Sequence, residues 1–144
     1  MCHNIQIQRK VKRLFFVALI VSFSACDQES SGFSGTFDEP TTYEGVFIRS
    51  APSIRTRPID VTVTFNENTF SGTIGEDNYP AICEGTFVLS NNVIEFTNAC
   101  YWTANFDWSL ILSGEWSIEG DLEELTLTKK TGDFTDWYFL KKKS

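Results

Sequence analysis

Cys83 and Cys100 bracket the stretch that most narrows what this chain can fold into, AICEGTFVLSNNVIEFTNAC. Apolar and polar residues alternate on both sides of Asn91-Asn92, and Asn tolerates the positive φ that a tight hairpin turn demands. With those two residues as the turn, partners on the two strands carry numbers that add to 183. Leu89 then faces Ile94, Phe87 faces Phe96, Gly85 faces Asn98 and Cys83 faces Cys100. Val88/Glu95, Thr86/Thr97 and Glu84/Ala99 fill the other side. One register therefore makes a largely apolar face and brings the thiols together. Counting outward from a hydrogen-bonded Ser90/Val93 pair puts the cysteines at a non-hydrogen-bonded position, where Cα atoms lie about 4.5 Å apart. That is within disulfide range; two free thiols in a core are the alternative.

The same arithmetic works upstream. In DVTVTFNENTFSGTI, a Glu67-Asn68 turn gives pairs adding to 135: Phe65/Phe70, Val63/Gly72 and Val61/Ile74. Downstream, DWSLILSGEWSI alternates Trp108, Leu110, Leu112, Gly114, Trp116 and Ile118 against serines and Glu115, with Ile111 out of step. LTLTKK follows a turn at Glu119-Gly120-Asp121, and DWYFLKKK follows one at Thr131-Gly132-Asp133. No helical period is sustained. About eight strands result, roughly 43–49, 58–66, 69–75, 82–90, 93–101, 107–118, 124–130 and 134–141. Short links between them favour an antiparallel meander. The expected fold class is all-β: an eight-stranded antiparallel up-and-down barrel, which leaves no open edge. A two-sheet sandwich is the alternative.

Alternation also names the residues that face inward. Phe65, Phe70, Phe87, Phe96, Trp108, Leu110 and Trp116 are the candidate lining of an apolar ligand pocket. Gly72, Gly85 and Gly114 would leave room there, and Asn98 would be one polar handle. Leu89, Ile94, Leu112, Leu125, Leu127, Tyr138 and Leu140 complete the set. Eight strands leave just enough space for either a small ligand or the side chains themselves. Thirteen Phe and four Trp in 144 residues tip the expectation towards a mostly filled interior.

The N-terminus points to a compartment. Arg9, Lys10, Lys12 and Arg13 precede the apolar run LFFVALIVSFSA, Leu14 to Ala25. A dozen apolar residues fall short of the roughly 20 that span a bilayer but suit a signal peptide. The run ends in FSAC, which resembles the lipobox of bacterial lipoproteins with Phe23 where Leu is usual. That resemblance implies cleavage after residue 25 and acylation of Cys26; ordinary secretion with cleavage near Ala25 is the alternative. Either route takes the chain out of the cytoplasm, where a disulfide can persist. The expected organisation is a signal peptide over 1–25, a flexible tether over 26–42, rich in Ser, Gly, Thr and acids, and one β domain over 43–144.

Removing the signal takes four of the 12 basic residues and none of the 19 acidic ones, leaving eight against 19, a net −11. Such a surface repels phosphate backbones, so nucleic acid is not an expected partner.

The run EGTFVLSNNVIEFTNACYWTANFDWSLILSGEW, followed by LEELTLTKK and a closing WYFLKKK, is similar to small lipocalin-like lipoproteins of Bacteroidetes. The CYWTANFDW corner is its most distinctive part. The likeness covers residues 43–141 and implies a calycin-type eight-stranded barrel anchored in the envelope, at the outer membrane. The first strand carries YEGVF in place of the G-x-W signature of lipocalins.

Catalytic material is scarce. The only His is His3, inside the signal segment, so the domain holds no Ser-His-Asp or Cys-His dyad and no imidazole ligand. No phosphate-cradling Gly motif occurs. Asp107 and Glu115 neighbour aromatics, but alternation turns both outward. No enzyme activity, cofactor or metal is expected. The expected function is binding of a small apolar or amphipathic ligand in the barrel; the alternative is engaging an envelope protein, as a hydrolase inhibitor would, through rim loops 50–58 and 102–106. Arg49, Arg55, Arg57 and Trp102 are the candidate partner-binding residues, because Arg and Trp are favoured interface anchors.

Overall fold

The computed structural model describes residues 32–74 and 79–144. The expected signal segment, Cys26 and the start of the tether lie outside these. The described residues form ten strands: β1 (Phe33–Ser34), β2 (Thr41–Ala51), β3 (Ile54–Arg55), β4 (Ile59–Asn66), β5 (Thr69–Ile74), β6 (Glu84–Ser90), β7 (Val93–Asn98), β8 (Gly114–Asp121), β9 (Glu124–Thr131) and β10 (Phe134–Lys142). A single 3₁₀ turn, Trp108–Leu110, precedes β8. Strands β2, β4, β5, β6, β7, β8, β9 and β10 pair in that order, all antiparallel, and β10 returns to β2. The result is a closed eight-stranded antiparallel barrel, not a sandwich. The short β1 and β3 are additions to it.

The two hairpin registers read from alternation are those of the structure. Phe65 faces Phe70 and Val63 faces Gly72 across β4–β5; Leu89 faces Ile94 and Gly85 faces Asn98 across β6–β7. Glu67 and Asn91, the first residue of each turn, both sit at φ 52°. Antiparallel order then sorts the connections. The 67–68, 91–92 and 122–123 turns gather at one end, called here the turn end. The segments 52–58, 79–83 and 99–113 and the 132–133 turn gather at the other, the loop end.

Four expectations need correction. The turn after β8 is Leu122-Glu123, because the Asp121 carboxylate accepts the backbone N–H groups of Glu123 (2.8 Å) and Glu124 (3.0 Å), so pairing continues to Gly120/Leu125. Residues 107–113 are not strand. The Asp107 carboxylate caps the 3₁₀ turn by accepting the Ser109 N–H at 3.0 Å, and the sheet resumes only at Gly114. The hairpin bonding reaches Glu84/Ala99, where the Ala99 N–H donates to the Glu84 carbonyl at 2.9 Å, and splays beyond it, so the Cys83–Cys100 disulfide joins Cα atoms 6.4 Å apart rather than a tight ladder pair.

The fourth correction concerns the tether. Its described part is packed. β1 pairs in parallel with Gly120 and Asp121 of β8, below the 91–92 turn, and Phe37 plugs the turn end. The Phe37 ring stacks on Phe65 (4.6 Å) and Phe33 (5.5 Å) and meets Tyr43 and Phe87 edge-on. Burying the Phe37 side chain contributes about 1.5–3 kcal/mol, and the β1–β8 pairing and the Glu67 N–H donating to the Phe37 carbonyl at 2.6 Å add to it in holding the segment.

Candidate functional site

The inward set occupies the barrel. Phe65, Phe70, Phe87, Phe96 and Trp116 are all buried, and the four Phe rings form a continuous contact chain: Phe65–Phe87 at 5.4 Å, Phe65–Phe96 at 6.2 Å, Phe70–Phe96 at 5.0 Å. On the opposite wall Tyr138 meets Phe47 (5.0 Å) and Trp116 (5.2 Å). The glycines do not leave room. Ile82 fills the space beside Gly72, the Phe70 ring edge and the Thr97 carbonyl crowd Gly85, and the Lys129 ammonium stands 3.3 Å from where a Gly114 Cβ would be. Leu110 is half-buried against this core. Trp108 does not line the interior: it is 60% exposed, because the capped 3₁₀ turn swings it out.

Four grooves, lined respectively around Val46 and Lys141, Gly45 and Phe139, Pro40 and Phe70, and Ala51 and Trp137, draw on outward-facing strand residues and end turns. They lie on the outer wall and the rim.

A buried polar latch lies at the loop end. Arg49, at the end of β2, is buried at an inward position rather than displayed on the rim. Its Nε and Nη2 donate to the two Asp136 carboxylate oxygens, each at 2.7 Å. The remaining N–H groups reach the 3₁₀ turn, Nη1 donating to Ser109 Oγ at 2.9 Å and Nη2 to the Ser109 carbonyl at 2.8 Å. Asp107 stands 3.6 Å from Nη1, and the guanidinium sits over the Phe134 ring at 5.2 Å. Hydrogen bonding to Asp136 raises the Arg49 pKa further despite burial. Asp107 is held below the usual carboxylate range by its bonds from Ser109 and by Arg49.

Next to the latch, Lys129 Nζ donates to the Ser113 carbonyl at 2.7 Å and lies 5.5 Å from the Trp116 ring centroid. Burial pulls its pKa down, with Asp136 opposing. Two polar atoms inside lack partners among the described residues, Tyr138 Oη and Asn98 Nδ2. Burial pushes the Tyr138 hydroxyl well above its ordinary pKa. Asn98 Oδ1 is used, accepting from the Cys100 N–H at 2.9 Å and from Trp102 Nε1 at 3.2 Å. The expected polar handle thus anchors the 99–113 segment. Among the described residues no group of three or more His, Cys, Asp or Glu is placed to hold a metal ion.

Both predicted rim loops leave the loop end. Arg55 and Arg57 are exposed there, whereas Trp102 is half-buried and stacked on Phe106 at 5.0 Å. Composition did not mark the exposed apolar side chains of this end, Ile54, Tyr101, Trp108 and Phe134. Arg49 and Asp136 were legible, since each continues the inward alternation of its strand beyond Phe47 and Tyr138.

The class the structure defines is a closed antiparallel barrel of eight sequential strands, which is consistent with a lipocalin-like fold. The chain matches no family model, no curated protein and no solved structure.

Proposed function

We propose that the protein is an exported, lipid-anchored barrel of the bacterial envelope that works without catalysis, as a protein-interaction module acting through its loop end. The observation that carries this reading is the contrast between inside and outside. Aromatic side chains occupy the interior, with Phe37 packed at the turn end and the Arg49–Asp136 pair at the loop end, while Ile54, Tyr101, Trp108 and Phe134 are exposed in or beside the loop-end segments, as Val88, Val93 and Phe139 are elsewhere on the wall. Exposed aromatics grouped on one surface mark interaction sites more often than isolated ones do. The basic n-region, the short apolar run and FSAC support export and acylation of Cys26.

One observation favours a second reading, a small amphipathic ligand held within the barrel. Tyr138 Oη and Asn98 Nδ2 are buried without partners, and buried polar atoms are seldom left so. Native mass spectrometry of the protein purified from its own host separates the two. An apo mass accompanied by a stoichiometric protein partner supports the interaction module. A co-purifying lipid with no protein partner overturns it in favour of the carrier.

A further inference from the structure

The outer wall of the barrel is not uniform in charge. Alternation fixes which residues of each strand point outward. On β4 to β8 the outward charges are all acidic among the described residues: Asp60, Glu84, Glu95, Glu115, Glu119 and Asp121. The outward cations are Lys130 on β9, Lys141 on β10 and Arg55 on β3, beside Ser50 of β2. They share the β9–β10–β2 wall with two carboxylates, Glu124 and Glu44, while Asp60, Glu119 and Asp133 border it. Lys141 pairs with Glu124 at 2.7 Å and Lys143 with Glu44 at 2.6 Å. A chain with 19 acidic and 12 basic residues repels its own copies. On this wall alone the outward acid of the described strands is balanced.

The same wall carries apolar side chains in register. Trp137 pairs with Ile48 and Phe139 with Val46 across β10–β2, and Thr128 and Thr126 stand opposite the two aromatics on β9. Phe139 is 44% exposed, Trp137 and Val46 are half-buried, and Ile48 is buried. Two of the outer grooves flank this platform, one beside Phe139 and one beside Trp137. Lys130 and Arg55 stand at its loop-end margin, Glu124 and Glu44 at the other.

From this arrangement we infer that the β9–β10–β2 wall seats a second copy of the chain, packed face to face about a two-fold axis. The axis passes over Tyr138 at right angles to β10, so it reverses the strand direction. Position 139 then meets 137 of the second copy, 126 meets 128, and 130 meets 124, since each pair is equidistant from the axis. Phe139 lies on Trp137 of the second copy, Lys130 opposite its Glu124, and Arg55 beside its Glu44, each contact made twice. Charge selects this symmetry. A two-fold axis along the strands would stack Glu124 on Glu44 and Lys141 on Lys141. Three strands about 4.8 Å apart make a small interface, so the association is reversible. It uses a different surface from the loop-end reading, and either can fail without the other.

The test uses the full chain in intact cells of its host, with the photo-cross-linker benzoylphenylalanine at Phe139 on this wall or at Val88 on the acidic one. The expected result is a dimer-sized adduct at 139, made only of this chain's peptides and absent at 88. Lys130→Glu or Glu124→Lys alone should cut its yield about tenfold, because each creates two like-charge contacts per dimer. Combining them in one chain should restore the adduct, and so should co-expressing the two single variants, since acid again opposes base. That recovery excludes misfolding of the single variants as the cause of their loss. No adduct at 139, a cross-link within one chain, or an adduct to another protein or a lipid overturns the proposal. So does a dimer adduct equally strong at 88, indifferent to the single reversals, or unrecovered by both combinations.

Discussion

Arg49 and Asp136 face each other across the β2–β10 seam, where the last barrel strand closes on the first, and their two 2.7 Å hydrogen bonds lie inside the wall. A buried pair of this kind contributes less by its own attraction than by what its loss exposes. Removing one partner leaves the other charge uncompensated at a cost of about 3–5 kcal/mol, whereas replacing both with apolar residues is often neutral. The expected outcome is that Arg49→Met and Asp136→Leu each destabilise strongly, while the double variant recovers most of the loss in denaturant unfolding. Arg49 also holds Ser109. Amide exchange over residues 107–112 should therefore remain fast in the double variant although global stability returns.

Phe37 should behave as a core residue. With its ring stacked on Phe65 and enclosed by Tyr43 and Phe87, Phe37→Ala is expected to cost about 3–5 kcal/mol in urea unfolding. A loss under 1 kcal/mol would return the segment to the status of a tether.

What could be read in advance depended on whether a residue's neighbours in sequence were also its neighbours in space. Tight hairpins satisfy that condition, so the 67–68 and 91–92 registers followed from alternation. The antiparallel meander followed from the short links between strands, whereas closure over a sandwich is decided by the β10–β2 pairing, which joins residues far apart in sequence. Phe33 and Phe37 did not show, because their Ser-Gly-acid surroundings resemble a linker and the face they cover is built from β4, β6 and β8. Trp108 was misplaced for a local reason: Asp107 satisfies the backbone of the next turn and halts the alternation before it reaches the sheet. Alternation puts Arg49 and Asp136 on the inward faces of their strands, but no turn joins β2 to β10, so the pairing that adds to 185 comes only with closure of the barrel. A charged side chain is ordinarily exposed, so residue type alone places Arg49 on the rim.

The disulfide closes the 79–83 segment onto the start of 99–113, beside Asn98. Its sequence separation is 17, and a loop of that size contributes about 3 kcal/mol by restricting the unfolded chain. Cys83→Ser with Cys100→Ser should lower stability by about that amount and leave the β-sheet circular dichroism unchanged. Non-reducing peptide mapping of exported protein should recover the two cysteines as one linked peptide. Recovery of both as free thiols removes the staple from the account of the loop end.

Two buried tyrosines set the alkaline limit of the fold in distinguishable ways. Tyr43 Oη donates to the Leu122 carbonyl at 3.0 Å, and burial, helped by Glu123 and Asp121, pushes its pKa from 10.0 up to about 12. Tyr138 is shifted in the same direction by burial but donates to nothing among the described residues. Between the unfolded and folded values the unfolded chain has released a proton that the folded protein keeps, so stability falls as pH rises. The contribution of Tyr43 is thus complete below about pH 10 and gone by about pH 12. Tyr43→Phe should flatten this part of the stability profile and cost about 1 kcal/mol at neutral pH, through the lost hydrogen bond. Tyr138→Phe should also flatten the alkaline limb, yet leave neutral-pH stability unchanged or raised, since it removes a buried hydroxyl with no protein partner. A drop in neutral stability for Tyr138→Phe as large as that for Tyr43→Phe would mean that its hydroxyl is bonded after all, and would strengthen the case for a molecule held inside the barrel.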